Sequence, residues 1–119
     1  LHGGLYHQVA RDRPLADAVS EAIAKRWPAM TLLAPPGSLL VNVAQGHGLR
    51  VVVEAFVDRA YAADGTLLPR TNVRAVIDKP HEAASRAIRL ACEGIVEAVD
   101  GTLIAIHADT FCLHGDGAD

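Results

Sequence analysis

Met30-Thr31-Leu32-Leu33-Ala34, Pro35-Pro36-Gly37, Ser38-Leu39-Leu40-Val41-Asn42-Val43-Ala44 and Arg50-Val51-Val52-Val53-Glu54 succeed one another in the chain and decide its fold. A short apolar run ends at a proline-proline-glycine corner. Ser38, a good N-cap residue, opens an apolar helix through Ala44, Gly46 and Gly48 mark its end, and the valines return as a second strand. Strand, helix and strand in that order make a unit whose two strands lie parallel.

The same alternation continues on both sides. Residues 4–11 fit a short helix. Asp12 then caps a longer one with Pro14 in its first turn, where Leu15, Val19, Ala22, Ile23 and Trp27 recur at helical spacing until Pro28. Beyond Glu54 a long loop runs from Ala55 to Ala75, and loops of that length carry function or structure of their own. Asp64-Gly65 predicts a tight turn within it. Pro80 suits the first turn of the next helix, with Glu82 as a capping-box acid and Ala83, Ala84, Ala87, Ile88 and Ala91 as its apolar stripe up to Gly94. Ile95 to Val99 and Thr102 to Ile106 flank Asp100-Gly101, the strongest hairpin signal in the chain. Thr110 to Leu113 reads as a final buried strand that delivers His114-Gly115-Asp116 at its C-terminal end. The fold class is α/β with a parallel sheet, and periodicity leaves a barrel and an open doubly wound sheet both possible.

Composition sets outer bounds on function. With 119 residues the chain has the size of one domain, and half of it is apolar, so a core can form. A net charge of -3 supplies no basic field for nucleic acid or for a membrane surface. No apolar run approaches the ~20 residues of a spanning helix, and nothing at the start reads as a signal peptide. A cytoplasmic protein is the expectation. The two cysteines, Cys92 and Cys112, lack the number for a disulfide framework and the spacing for zinc, and both are expected as buried thiols.

Chemistry concentrates at the ends of the apolar runs, where α/β folds build their sites. Glu54-Ala55-Phe56-Val57-Asp58-Arg59-Ala60-Tyr61 brings two acids, an arginine and a tyrosine just after the valines, and Arg70 follows the Asp64-Gly65 turn. Glu54 closes an apolar strand and so needs a partner or a place at the mouth of the sheet; a structural ion pair with Arg59 or Arg70 is the alternative. Either arginine can grip a carboxylate or a phosphoryl group through two parallel hydrogen bonds, or can neutralise Asp58. His114 and Asp116 flank a glycine that lets backbone approach a ligand, and His2 has a similar setting beside Gly3-Gly4. His7, His47, His81 and His107 lack such a context. No H-x-x-x-H pair or similar close-spaced ligand set is present, so no metal site is expected. Gly46-His47-Gly48 follows a helix instead of opening one, and no Walker motif exists.

Three stretches carry a resemblance to a known family. Glu54-Ala55-Phe56-Val57-Asp58-Arg59-Ala60-Tyr61 resembles the Glu-x-Phe-x-Asp-Arg-x-Tyr segment of the LamB/YcsF family, the lactam-utilisation proteins unrelated to the porin of similar name. His2-Gly3-Gly4-Leu5-Tyr6 resembles its Lys-Pro-His-Gly-x-Leu-Tyr motif. Ala108-Asp109-Thr110-Phe111-Cys112-Leu113-His114-Gly115-Asp116 resembles its closing Ala-Asp-Thr-x-Cys-x-His-Gly-Asp.

The resemblance implies the C-terminal half of a seven-stranded β/α barrel of the glycoside hydrolase/deacetylase type, with the hairpin near its end. Residues 1–119 would then be a partial barrel domain whose N-terminal half is absent, leaving an exposed apolar flank. It implies ATP-dependent hydrolysis of 5-oxo-L-proline to L-glutamate, with the chain acting as the A subunit of a 5-oxoprolinase beside subunits B and C, and with ATP and Mg2+ as cofactor. Glu54, His2, His114 and Asp116 would carry catalysis, while Arg59, Asp58, Tyr6, Tyr61 and Arg70 would bind substrate. The alternatives are a metal-dependent amidohydrolase or deacetylase on a related barrel, and a half-barrel that serves only as a binding element.

Overall fold

A computed structural model describes Leu1 and residues 3–115. The chain divides into two compact units, Leu1–Glu54 and Ala55–Asp119.

The first unit holds helices α1 (Gly3–Val9) and α2 (Arg13–Arg26), strand β1 (Thr31–Ala34), helix α3 (Leu39–Gly46) and most of strand β2 (Arg50–Phe56). Both predicted caps form. Asp12 accepts from the Leu15 amide at 3.0 Å and Ser38 Oγ from the Leu40 amide at 3.1 Å, which satisfies donors that a helix start leaves unpaired. β1 and β2 pair in parallel, from Thr31 opposite Arg50 to Ala34 opposite Val53. Val9, Ala16, Leu32, Leu40, Val43 and Leu49 form the core, with Leu15, Val19 and Ile23 of α2 packed against it. Each fully buried large aliphatic side chain contributes about 1.5–3 kcal/mol by leaving water. Trp27 departs from the expected apolar face: it is the C-cap of α2 and 53% exposed, with the Arg26 guanidinium 5.8 Å over its ring.

The second unit holds the end of β2, the segment 57–79, helix α4 (Pro80–Glu93), and strands β3 (Ile95–Glu97), β4 (Leu103–Ala105) and β5 (Thr110–Cys112). β3 and β4 form the expected antiparallel hairpin, with Ile95 opposite Ala105 and Glu97 opposite Leu103. Its turn is set by Asp100, whose carboxylate accepts from the Thr102 amide at 3.0 Å, and by Gly101 at a φ of 89°. Ala55, Val57, Tyr61, Leu90, Val96 and Ile106 make the core.

The long loop has structure of its own. Two isolated antiparallel bridges, Arg59 with Val76 and Tyr61 with Leu67, fold it back on itself. Ala60, Leu68 and Ala75 form a small buried cluster inside it. Asp64 supplies the predicted turn by accepting from the Thr66 amide at 2.9 Å, with Gly65 at a φ of 80°.

Four expectations for this unit are corrected. The N-cap of α4 is Lys79, whose side chain makes no capping hydrogen bond. An ammonium has no acceptor to offer, so Glu82 stands in the first turn without its box. The buried face of α4 is Ala83 and Leu90 with Ala87 beside them, while Ala84, Ile88 and Ala91 face outward and Ile88 is 64% exposed. Cys92 follows that outward face and is an exposed thiol, and Cys112 is half-buried. β5 is not a buried strand, because Thr110 and Cys112 are half-buried and Phe111 is exposed.

Candidate functional site

The end of β2 and the end of β5 lie side by side in the second unit. The Val57 amide donates to the Cys112 carbonyl at 3.1 Å, and this register brings Asp58 against His114. Asp58 Oδ2 accepts from the His114 backbone amide at 2.8 Å and contacts the ring Nδ1 at 2.8 Å. Two bonds to one oxygen fix the position of His114 and hold the Nδ1 edge of its ring. With the carboxylate ionised, Nδ1 carries the proton and donates, leaving Nε2 as the basic nitrogen. Asp58 is buried, and its Oδ1 has no hydrogen-bond partner among the described residues. The His114 ring is about a quarter exposed.

Phe56 completes this arrangement; it matches the Phe of the family segment, but the sequence assigns it no role at the site. Its ring stacks on the His114 imidazole, with centroids 5.8 Å apart and planes 16° from parallel. The Phe56 amide donates to Tyr61 Oη at 2.8 Å. Tyr61 is 1% exposed, and burial pushes its pKa up, partly offset by that amide hydrogen bond. The Arg86 guanidinium lies 5.9 Å from the Tyr61 ring and donates to the Arg59 carbonyl at 3.1 Å.

The remaining candidates have different surroundings. Arg59 is 5% exposed. Its Nε donates to the Ala75 carbonyl at 3.1 Å and its Nη2 to the Leu68 carbonyl at 2.7 Å, so the side chain pins the loop to itself. Burial pulls its pKa down, and the Arg70 charge adds to that pull. Arg70 is exposed. In the first unit Tyr6, buried in α1, donates to Glu54 Oε2 at 3.2 Å. Glu54 thus meets its need for a partner through a tyrosine, where the sequence pointed to an arginine. His2 and Asp116 lie outside the described residues. Of the histidines without a sequence context, His47 contacts Asp17 Oδ1 at 2.8 Å through Nε2.

An aspartate that orients a histidine through Nδ1 is a general-base arrangement: the ring can take a proton from water or a hydroxyl and hand it to a leaving group. Gly46 and His47 close α3 instead of opening a helix, so they offer no amide cradle for phosphates. No group of three His, Cys, Asp or Glu side chains converges for a cation among the described residues.

The chain is thus mixed α/β with a parallel strand pair and an Asp–His pair just past two strand ends. The LamB/YcsF family model matches residues 1–119, and the chain belongs to that family. It is 45% identical over 116 residues to the 5-oxoprolinase A subunit of Neisseria meningitidis serogroup A, covering 98% of this chain and 47% of that protein. It is 50% identical over 115 residues to the protein of the same name from Heliobacterium modesticaldum, covering 97% of this chain and 45% of the other. The crystal structure of the lactam utilization protein from Thermus thermophilus is similar with a TM-score of 0.85 at 45% identity, over 95% of this chain and 46% of that one. The chain therefore spans about half the length of the relatives it matches.

Proposed function

We propose that this chain is part of a 5-oxoprolinase A subunit that opens the ring of 5-oxo-L-proline to give L-glutamate. The observation that carries the reading is the double contact of Asp58 Oδ2 with the His114 amide and Nδ1. In the proposed step His114 Nε2 accepts a proton from water as the water oxygen bonds to the lactam carbonyl. The ring C–N bond then breaks and the nitrogen takes up the proton, which gives the amine and carboxylate of glutamate. Glu54 keeps the catalytic role and Arg70 the substrate-binding role that the family likeness suggests for them. His2 and Asp116 keep the catalytic roles that the family motif suggests for them.

A seven-stranded β/α barrel for the full-length protein, with residues 1–119 as its C-terminal half, is the arrangement that the family likeness suggests. Dependence on ATP with Mg2+, action with subunits B and C and a cytoplasmic setting come from the family likeness, and no residue here is assigned to the nucleotide. Among the described residues no helix is long and apolar enough to cross a membrane.

Glutamate release by the full-length protein with subunits B and C, supplied with ATP and 5-oxoproline, tests the proposal. His114→Gln and Glu54→Gln are each expected to lower turnover by ~10²-fold or more with folding intact, the usual scale for losing a general acid or base. Near wild-type turnover in His114→Gln would sink it.

A further inference from the structure

Tyr61 closes the Glu54–Tyr61 family motif, yet it is sealed in the core and its hydroxyl faces the backbone of β2. We infer that Tyr61 and Phe56 are positioning residues that hold the His114 ring in the plane its contact with Asp58 requires. This rests on the proposed role of His114 as the base.

Three connected observations support it. Tyr61 Oη receives the Phe56 amide at 2.8 Å, at the last residue of β2. The neutral hydroxyl has a lone pair for that amide, and burial keeps it neutral. Phe56, so anchored, presents its ring face to His114 at 5.8 Å and 16°. An offset stack of this kind restrains tilt about the axis that the Asp58 contacts leave free. The hydrogen bonds of Asp58 fix one edge of the imidazole, and the Phe56 ring fixes its face. A histidine held on only one edge would swing Nδ1 away from the carboxylate and populate both tautomers.

The tyrosine is itself locked from behind. Arg86 stands over its ring at 5.9 Å, and the same guanidinium holds the Glu97 and Arg59 carbonyls at 3.3 and 3.1 Å. Tyr61 also packs with Ala55, Val57 and Leu90 in the core of the unit. A side chain this constrained transmits its position to Phe56 with little slack. The residue therefore acts on the chemistry through His114 and not by touching substrate.

Tyr61→Phe deletes only the hydroxyl, and Phe56→Leu keeps an apolar side chain but removes the flat face. The full-length protein labelled with 15N in its histidines reports each ring's tautomer through its nitrogen shifts, without substrate, nucleotide or partner. In the wild type His114 is expected as a single species protonated on Nδ1. Both variants are expected to show averaged or doubled His114 nitrogen signals, while the His47 signals in the other unit stay unchanged. In turnover assays both should lower kcat and leave KM near the wild-type value, since neither side chain meets substrate. Phe56→Tyr, which restores a flat ring, should recover the single tautomer. A wild-type His114 spectrum in both Tyr61→Phe and Phe56→Leu would overturn the inference. A changed spectrum alongside normal turnover in His114→Gln would support the positioning geometry and overturn the catalytic reading beneath it.

Discussion

Ser20 sits in α2 with its Oγ fully buried and without a hydrogen-bond partner among the described residues. A buried hydroxyl in that state loses its water and gains nothing in return. Ser20→Ala is expected to stabilise the protein by about 1 kcal/mol, read as a rise in thermal midpoint, and a drop would show that the hydroxyl has a partner after all. Tyr61 gives a pH signature of opposite origin. Its folded-state pKa is raised by burial above the unfolded value of about 10. The stabilisation tied to keeping its proton is complete below that unfolded value and is lost as pH rises through the folded one. Urea midpoints of wild type and Tyr61→Phe should therefore differ by a constant amount up to about pH 10 and converge above it. A difference that stays flat through that range would contradict the assigned burial effect. At this scale the sequence was a partial guide. Asp58 and His114 stood out as polar residues after apolar runs, but their contact spans 56 positions and depends on which strand lies beside which. Phe56 matched a family-motif position, yet its stacking on a histidine leaves no mark on local pattern.

Elements bounded by glycine, proline and capping residues were legible, because those residues act through local sterics and local hydrogen bonds. Asp12, Ser38 and Gly94 are such cases: the last ends α4 at a φ of 66° and donates its amide to the Leu90 carbonyl. The inward face of α4 was not legible. With alanines at 83, 84, 87 and 91, stripes one position apart are nearly equal in hydrophobicity, and tertiary contacts chose the one through Leu90. The α4 start also offers a test. Lys79→Ser would supply the missing acceptor and is expected to add about 1 kcal/mol of stability; an unchanged midpoint would mean the first-turn amides are already satisfied. In the segment 57–79, Arg59 replaces regular pairing by donating to the Leu68 and Ala75 carbonyls. Arg59→Lys has one cationic nitrogen where the guanidinium has a planar fork, so it should cost about 2–3 kcal/mol. Protease cleavage within 57–79 should rise accordingly, and a loop as resistant as wild type would show that the bridges at Val76 and Leu67 suffice.

At the scale of the whole molecule, the second unit exposes Ile88, Leu103, Phe111 and Leu113, the last at 67%. Where exposed apolar side chains form a contiguous patch, they bind hydrophobic dyes and self-associate. The 119-residue chain is expected to bind such a dye, with Ile88→Lys binding less, and dye-silent monomers by light scattering would contradict that. The fold class followed from one strand-helix-strand unit, whereas a barrel could not be told from an open sheet because closure depends on strands that pattern alone does not place. Family membership rested on the three motifs and holds over residues 1–119. The claim that joins residue, element and molecule is that Asp58 sets the tautomer of His114 for catalysis. The most direct measurement is glutamate release and thermal midpoint for Asp58→Asn in the full-length protein with subunits B and C. An amide at this position can present an NH2 to Nδ1, which moves the ring proton to Nε2 and removes the base. The expected result is turnover lower by ~10²-fold or more in a protein that still folds. Turnover near wild type with a lowered midpoint would make Asp58 a structural acid and contradict the catalytic role of the pair.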